Sequence, residues 1–170
     1  MAGAVVPSGM AAPRYAGWWR RVGAWLIDWC IFLVPSLLLS IPFILEIFEQ
    51  IANAQSGPVG VEEIGTAPLA LLMVGSLILN VGFIAYEIIM NGGPRGQTVG
   101  KMALSIQVRD ADNFGPIGYG KAAVRYFVGY ALVAACWIPG IVDYLFPLWD
   151  EKKQTIHDKA ANSVVLDVRR

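Results

Sequence analysis

Apolar residues in this chain gather in three long runs, and the segments between them differ sharply in charge. The first run covers about 22–45 and the second about 68–90. About 20 apolar residues at 1.5 Å rise cross a ~30 Å hydrocarbon core, so each run predicts a membrane-spanning helix. Trp18, Trp19 and Trp25 suit the entry interface of the first. Pro35 and Pro42 fall inside it, which membrane helices tolerate. Gly75, Ser76 and Gly82 in the second allow close helix approach. After Asn91-Gly92-Gly93-Pro94 the period changes to two: Leu104, Ile106 and Val108 alternate with Ser105, Gln107 and Arg109, a strand signal. Ser163–Val168 carries a second strand signal and is its expected partner.

The third run, about 121–149, is apolar enough to cross a third time. Pro139-Gly140 splits it into pieces too short to cross alone. A third crossing would also carry Lys152, Lys153, Lys159, Arg169 and Arg170 outside, against the positive-inside rule. The preferred reading is a hairpin that enters from the cytoplasmic side and returns, with its turn at Pro139-Gly140.

The predicted architecture is an all-α integral membrane protein of two spanning helices. A cytoplasm-side re-entrant or interfacial helical hairpin and a small cytoplasmic β element complete it. A flexible cytoplasmic tail covers 1–17 and the membrane domain 18–168. Within that domain the outer loop is 46–67, a cytoplasmic loop is 91–120, and 150–170 forms a cytoplasmic tail. Both termini face the cytoplasm. No internal repeat is visible.

Composition supports this. The chain has 170 residues, 56% hydrophobic and 15% charged, against roughly 25% charged in soluble domains. Mean hydropathy is +0.54. All 13 Lys and Arg lie outside 46–67, which holds Glu46, Glu49, Glu62 and Glu63. Basic residues next to apolar runs read as topology signals, not as a nucleic-acid surface. Cys30 and Cys136 make neither a disulfide framework nor a metal spacing. The first run is too long for a secretory signal and lacks a small-residue cleavage site, so it reads as retained.

The candidate chemistry lies in the charges among the apolar runs. Arg21 and Asp28 share a face of the first helix, two turns apart, too far for a simple pair. Asn80 and Glu87 share a face of the second. Depth along antiparallel spans puts Glu87 level with Arg21 and Asn80 somewhat deeper than Asp28. Arg125, near the start of the third run, is a candidate counter-ion for Asp28. These five residues form the expected buried network. Asp143 either belongs to it or sits near an interface. His157, the one histidine, stands beside Asp158 and reads as a surface cap or tail contact ahead of a pH-sensitive group. Gly96–Lys101 lacks the spacing of a phosphate loop; it reads as a tight turn with a snorkelling or lipid-binding lysine. No nucleophile–base pair, metal set or cofactor loop stands out, so no enzyme, metal or cofactor is expected.

Together these residues resemble the RDD family of bacterial membrane proteins. The likeness covers about 18–168. The family arginine maps onto Arg21 and its helical aspartate onto Asp28. A Gly-x-Thr-x-Gly-Lys element maps onto Gly96, Thr98, Gly100 and Lys101. A Gln-Thr-x-His-Asp element maps onto Gln154, Thr155, His157 and Asp158. The second family aspartate is Asp158 or Asp150. The resemblance implies a multi-pass protein of the bacterial cell (inner) membrane. It implies little about activity: some members are linked to sodium/proton exchange, and the domain also occurs beside other membrane machinery. Two functions follow as expectations. One is an accessory or scaffold component of a membrane complex. The other is a cation/proton transporter, best as a homo-oligomer, using Asp28 and Glu87. The expected partners are the lipid bilayer, another membrane protein or a second copy, and anionic lipid through Lys101, Lys121, Lys152 and Lys153.

Overall fold

The computed structural model describes residues 13–53 and 66–169. In chain order these form α1 (Trp18–Asn53), α2 (Thr66–Gly92), α3 (Val99–Ala103), β1 (Ile106–Asp110), α4 (Gly118–Ala135), α5 (Trp137–Leu145), α6 (Ile156–Ala160) and β2 (Ser163–Asp167). A 3-10 turn, Phe146–Leu148, follows α5. The chain is mostly helical, and α1 and α2 are long and apolar enough to cross a membrane. Both extend beyond the bounds that hydropathy suggests. Most of the expected outer loop, and most of the expected tail, lie outside the described residues.

Two compact units result: Trp29–Phe83, and the segment up to Asp28 together with Ile84 onward. In the apolar unit, Leu39 packs on Gly75. A Cβ there would lie 2.5 Å from Leu39 Cδ2, so any larger residue would have to turn the Leu39 side chain aside. Phe32 and Phe83 meet edge to face at 4.9 Å. Pro35 and Pro42 stay inside α1. The hydroxyls of Ser36 and Ser40 take the carbonyls of Phe32 and Leu37, each at 2.7 Å, in the turns the prolines interrupt. Leu38, Leu45, Phe48, Leu77 and Ile78 are exposed. An apolar exterior of this extent belongs in lipid or beneath a partner.

The second unit carries the polar residues. β1 and β2 pair antiparallel, Ile106 opposite Asp167 and Val108 opposite Val165. Ile106, Val108, Val164 and Val165 are fully buried; each contributes about 1.5–3 kcal/mol. Arg14–Ala16 lies along the free edge of β2: Ala16 donates to Val165 O at 2.8 Å, and Asp167 donates to Arg14 O at 2.7 Å. This part of the expected flexible tail is therefore pinned, which also covers an edge.

The turn in the third apolar run is not where Pro139-Gly140 predicts it. α4 ends at Cys136, whose backbone is extended. Pro139 sits in the first turn of α5, where its missing N–H costs nothing. Gly140 lies against Val133, and a Cβ there would come within 2.8 Å of Val133 Cγ2. The Pro-Gly pair thus packs the returning helix and does not break it.

A repeat that the sequence hides emerges in this unit. Residues 96–110 and 153–167 follow one course at an offset of 57, Gln97 matching Gln154 and Thr98 matching Thr155. Each copy has a threonine N-cap, a five-residue helix and a five-residue strand. Positive φ recurs at matched positions: Gly96 (60°) with Lys153 (51°), and Ser105 (51°) with Asn162 (48°). Gln97 and Gln154 each donate to the first strand carbonyl, Ile106 O and Ser163 O, at 2.9 Å. Val108 and Val165 are matched residues that also pair with each other. The two copies are therefore related by a quasi-two-fold axis between them.

Candidate functional site: two buried carboxylates and their caps

The α6 copy builds the tighter cluster. Thr155 caps α6 and forms a reciprocal box with Asp158, whose carboxylate accepts the Thr155 N–H at 3.2 Å. Asp158 is fully buried. Arg21 Nη1 reaches its Oδ2 and Arg125 Nη1 its Oδ1, each at 2.6 Å. Ser163 Oγ adds a contact to Oδ1 at 3.3 Å. Burial alone would push this carboxyl up, but the Arg125 and Arg21 guanidiniums, with His157, hold it well below the usual carboxylate range.

The α3 copy binds Asp28. Thr98 Oγ1 donates to Oδ2 at 2.5 Å, Gly100 N to Oδ1 at 2.8 Å, and Tyr86 OH to Oδ1 at 2.7 Å. The Tyr86 hydroxyl in turn accepts from Val99 N at 2.7 Å. Gly100 is required by close approach: a Cβ there would lie 2.0 Å from Ala24 O and 3.0 Å from Asp28 Cγ. Gly96 has positive φ, and a Cβ there would also lie 2.2 Å from Val108 O; its own carbonyl accepts from Val108 N at 2.7 Å. Asp28 is buried, and no cation lies within ion-pair distance of it among the described residues.

Lys101 continues from α3 into a third cluster. Its Nζ donates to Asn91 Oδ1 at 2.8 Å and stands 3.8 Å from Glu87 Oε2. Asn91 Nδ2 donates to the same Glu87 oxygen at 2.7 Å. Burial pushes the ammonium down, and Glu87 opposes that shift. Lys101 is thus an internal residue, not the snorkelling lysine expected. Lys121 pairs with Asp110; Lys152 and Lys153 remain exposed.

Several expectations need correction. Neither Arg125 nor Arg21 serves Asp28; both turn to Asp158. The physical reason is α6, which brings the Asp158 carboxylate between the two guanidiniums. Asn80 falls in the apolar unit, is exposed, and gives its amide to Ser76 O one turn back at 2.8 Å. His157 is no surface cap: its Nδ1 lies 2.6 Å from Asp143 Oδ2, and its N–H donates to Asp143 Oδ1 at 3.0 Å. Of the two candidate aspartates, Asp158 joins Arg21. Asp150 instead pairs with Lys159 at 2.5 Å and caps the Lys152 and Gln154 N–H groups. Tyr86 and Asn91 were missed as site residues; Asp143, expected either in the network or near an interface, joins His157. Asn91 four after Glu87 is a helical pair that spacing alone could have flagged. No group of three or more metal-ligating side chains exists among the described residues.

A buried arginine at the mouth of an apolar helix, an aspartate within it and a second aspartate capping a short helix define a class of membrane protein. The RDD family matches residues 15–162, and the chain belongs to it. It is 30% identical over 167 residues to a proline-rich antigen homolog of Mycobacterium tuberculosis (strains CDC 1551 / Oshkosh and ATCC 25618 / H37Rv), covering 94% of this chain and 66% of the relative. It is 26% identical over 164 residues to the proline-rich antigen of Mycobacterium leprae (strain TN), covering 91% of this chain and 61% of the relative. The chain thus spans less than two thirds of those relatives' length. No solved structure matches it.

Proposed function

We propose that this protein is a non-catalytic accessory or scaffold component of a membrane complex. Its buried ion pairs fix how its helices and cytoplasmic β element assemble. The observation that carries this reading is the double clamp on Asp158, where Arg21 and Arg125 arrive from segments far apart in sequence. Three charges committed to one another are poorly placed to bind and release an ion. Removing one member of a buried pair costs about 3–5 kcal/mol, enough to explain its presence structurally. In this reading the chain is multi-pass in the inner membrane with both termini cytoplasmic. The α4–α5 hairpin lies at the cytoplasmic interface, supported by the exposed Trp137 and Trp149. The outward apolar side chains of α1 and α2 meet lipid, a partner helix or a second copy.

One observation favours cation/proton transport as a second reading: Asp28 is buried among neutral donors, with no cation within ion-pair distance of it among the described residues. A transporter would use Asp28 with Glu87, as an oligomer. The two readings separate in proteoliposomes holding the full chain or its Asp28→Asn variant at equal folded amount. The scaffold reading expects equal sodium-dependent proton movement in both, at the level of empty vesicles. A flux present in the intact protein and abolished by the substitution overturns it.

A further inference from the structure

The repeat reaches further back than its short helices. Gly93 N donates to Ile89 O at 3.0 Å, and Gly96 N to Gly93 O at 3.1 Å. At the offset of 57, Asp150 N donates to Phe146 O at 3.2 Å, and Lys153 N to Asp150 O at 3.0 Å. The same turn therefore precedes α3 and α6, but the side chains around it differ. In the α6 copy the turn is closed by its own residues. Lys159 pairs with Asp150 at 2.5 Å and stands over the Phe146 ring, 4.6 Å from its centroid. In the α3 copy the matches of those three residues are Met102, Gly93 and Ile89, which have no charges to join. A cleft of about 320 Å³ is open there, walled by Ile89, Met90, Met102 and Tyr119.

Of the side chains lining this cleft, Arg95 alone is charged. Pro94 and Arg95 are the central residues of the turn, and proline fixes its first φ. Arg109 Nη1 donates to Pro94 O at 3.0 Å, which keeps a second guanidinium beside the turn. Neither arginine has a carboxylate within ion-pair distance among the described residues, whereas Arg20, Arg21, Arg125 and Arg169 all do. Ile89 lies in the last turn of α2 and is exposed, as is Tyr119. An α2 that crosses the membrane sets this cleft at the level of the lipid headgroups. An apolar wall beside unpaired guanidiniums at that level complements an amphiphile with an anionic head. A zwitterionic lipid would bring its own ammonium to the same guanidiniums, so net negative charge is favoured.

We propose that this cleft binds one phospholipid with a net-negative headgroup. Its phosphate sits on Arg95 with Arg109 beside it, and an acyl chain lies against Ile89 and Met102. The site is distinct from the four lysines expected to take anionic lipid, of which Lys101 is internal and Lys121 is paired with Asp110. It rests on α2 spanning the membrane, as in the reading above, and not on which complex the protein serves.

The α6 copy supplies the control. The full-length protein in micelles is offered dioleoyl phosphatidylglycerol or dioleoyl phosphatidylcholine and read by native mass spectrometry. One phosphatidylglycerol per chain should be retained in preference to phosphatidylcholine. Arg95→Gln should weaken that retention about five- to tenfold. Lys152→Gln, which removes the matched exposed cation, should leave it unchanged. Equal retention in the intact protein and Arg95→Gln overturns the proposal. So does an equal loss in Lys152→Gln, because the attraction would then be general surface charge. Absence of any headgroup preference also overturns it and leaves the cleft to a partner protein. Displacement of the lipid by glycerol phosphate overturns it too, since an anion without acyl chains would suffice. Carbonate extraction reads the spanning itself: release of the chain from the membrane contradicts that reading and removes this one with it. A chain that stays in the membrane and shows no preference overturns this one alone.

Discussion

Asp28 and Asp158 are both buried, yet they are stabilised by different means. Asp158 is neutralised by two guanidiniums and lies in the cap of its own short helix. Asp28 reaches across to the cap of a helix 70 residues later and, among the described residues, accepts hydrogen bonds from two hydroxyls and an N–H. The difference teaches that Arg21, Asp28 and Asp158 do not form one ion-pair network. Arg21 and Asp158 form a clamp. Asp28 is a separate tie that draws α3 onto α1.

The largest effect should come from cutting the clamp. Asp158→Asn leaves two guanidiniums facing a neutral amide in a buried site and is expected to cost about 3–5 kcal/mol, read as thermal unfolding in micelles or as lost protein in the membrane. Acid should act on the same clamp. Its contribution is fully present above the unfolded Asp value, about 3.9, and is lost as pH falls below that toward the lowered folded value. In Asp158→Asn that part of the acid loss should vanish.

Gly100→Ala tests the other tie. Its Cβ would overlap the Ala24 carbonyl at 2.0 Å. Parting α3 from α1 should cost about 1–3 kcal/mol as overpacking does, with the loss of the Asp28 bond in addition. Hydrogen exchange at Gly100 is expected to rise in that variant. Thr98→Val is milder: it removes one hydrogen bond to a charged group and a helix cap, about 1.5–3 kcal/mol. Tyr86→Phe should cost less, near 1 kcal/mol. Asn80→Ala should fall within about 0.5 kcal/mol, as for an exposed position; a larger loss would return Asn80 to the site.

Much of the architecture was legible. Hydropathy marks α1 and α2, because an apolar exterior leaves a long uninterrupted signal. Alternation marks Ile106–Asp110, and a short apolar run between polar residues marks Ser163–Asp167. The motif residues Thr98, Gly100, Thr155 and Asp158 all fall in the site, because capping and close approach demand particular residue types at fixed spacing. Partner choice was not legible. Arg125 lies on one face of α4 whichever carboxylate it meets, and only the path of α6 decides. Pro139-Gly140 misled because a proline early in a helix and one between helices look alike in sequence. The repeat stayed hidden because matched positions share backbone geometry more than side chains: Gly100 answers to His157 and Lys101 to Asp158.

The separation of the two aspartates is tested most directly by a pair of double-mutant cycles on unfolding stability, each sharing Arg21→Gln. With Asp158→Asn the losses should be strongly non-additive, because both substitutions cut one contact. With Asp28→Asn they should add to within about 0.5 kcal/mol. Coupling of Arg21 to Asp28 as strong as to Asp158 would contradict the account.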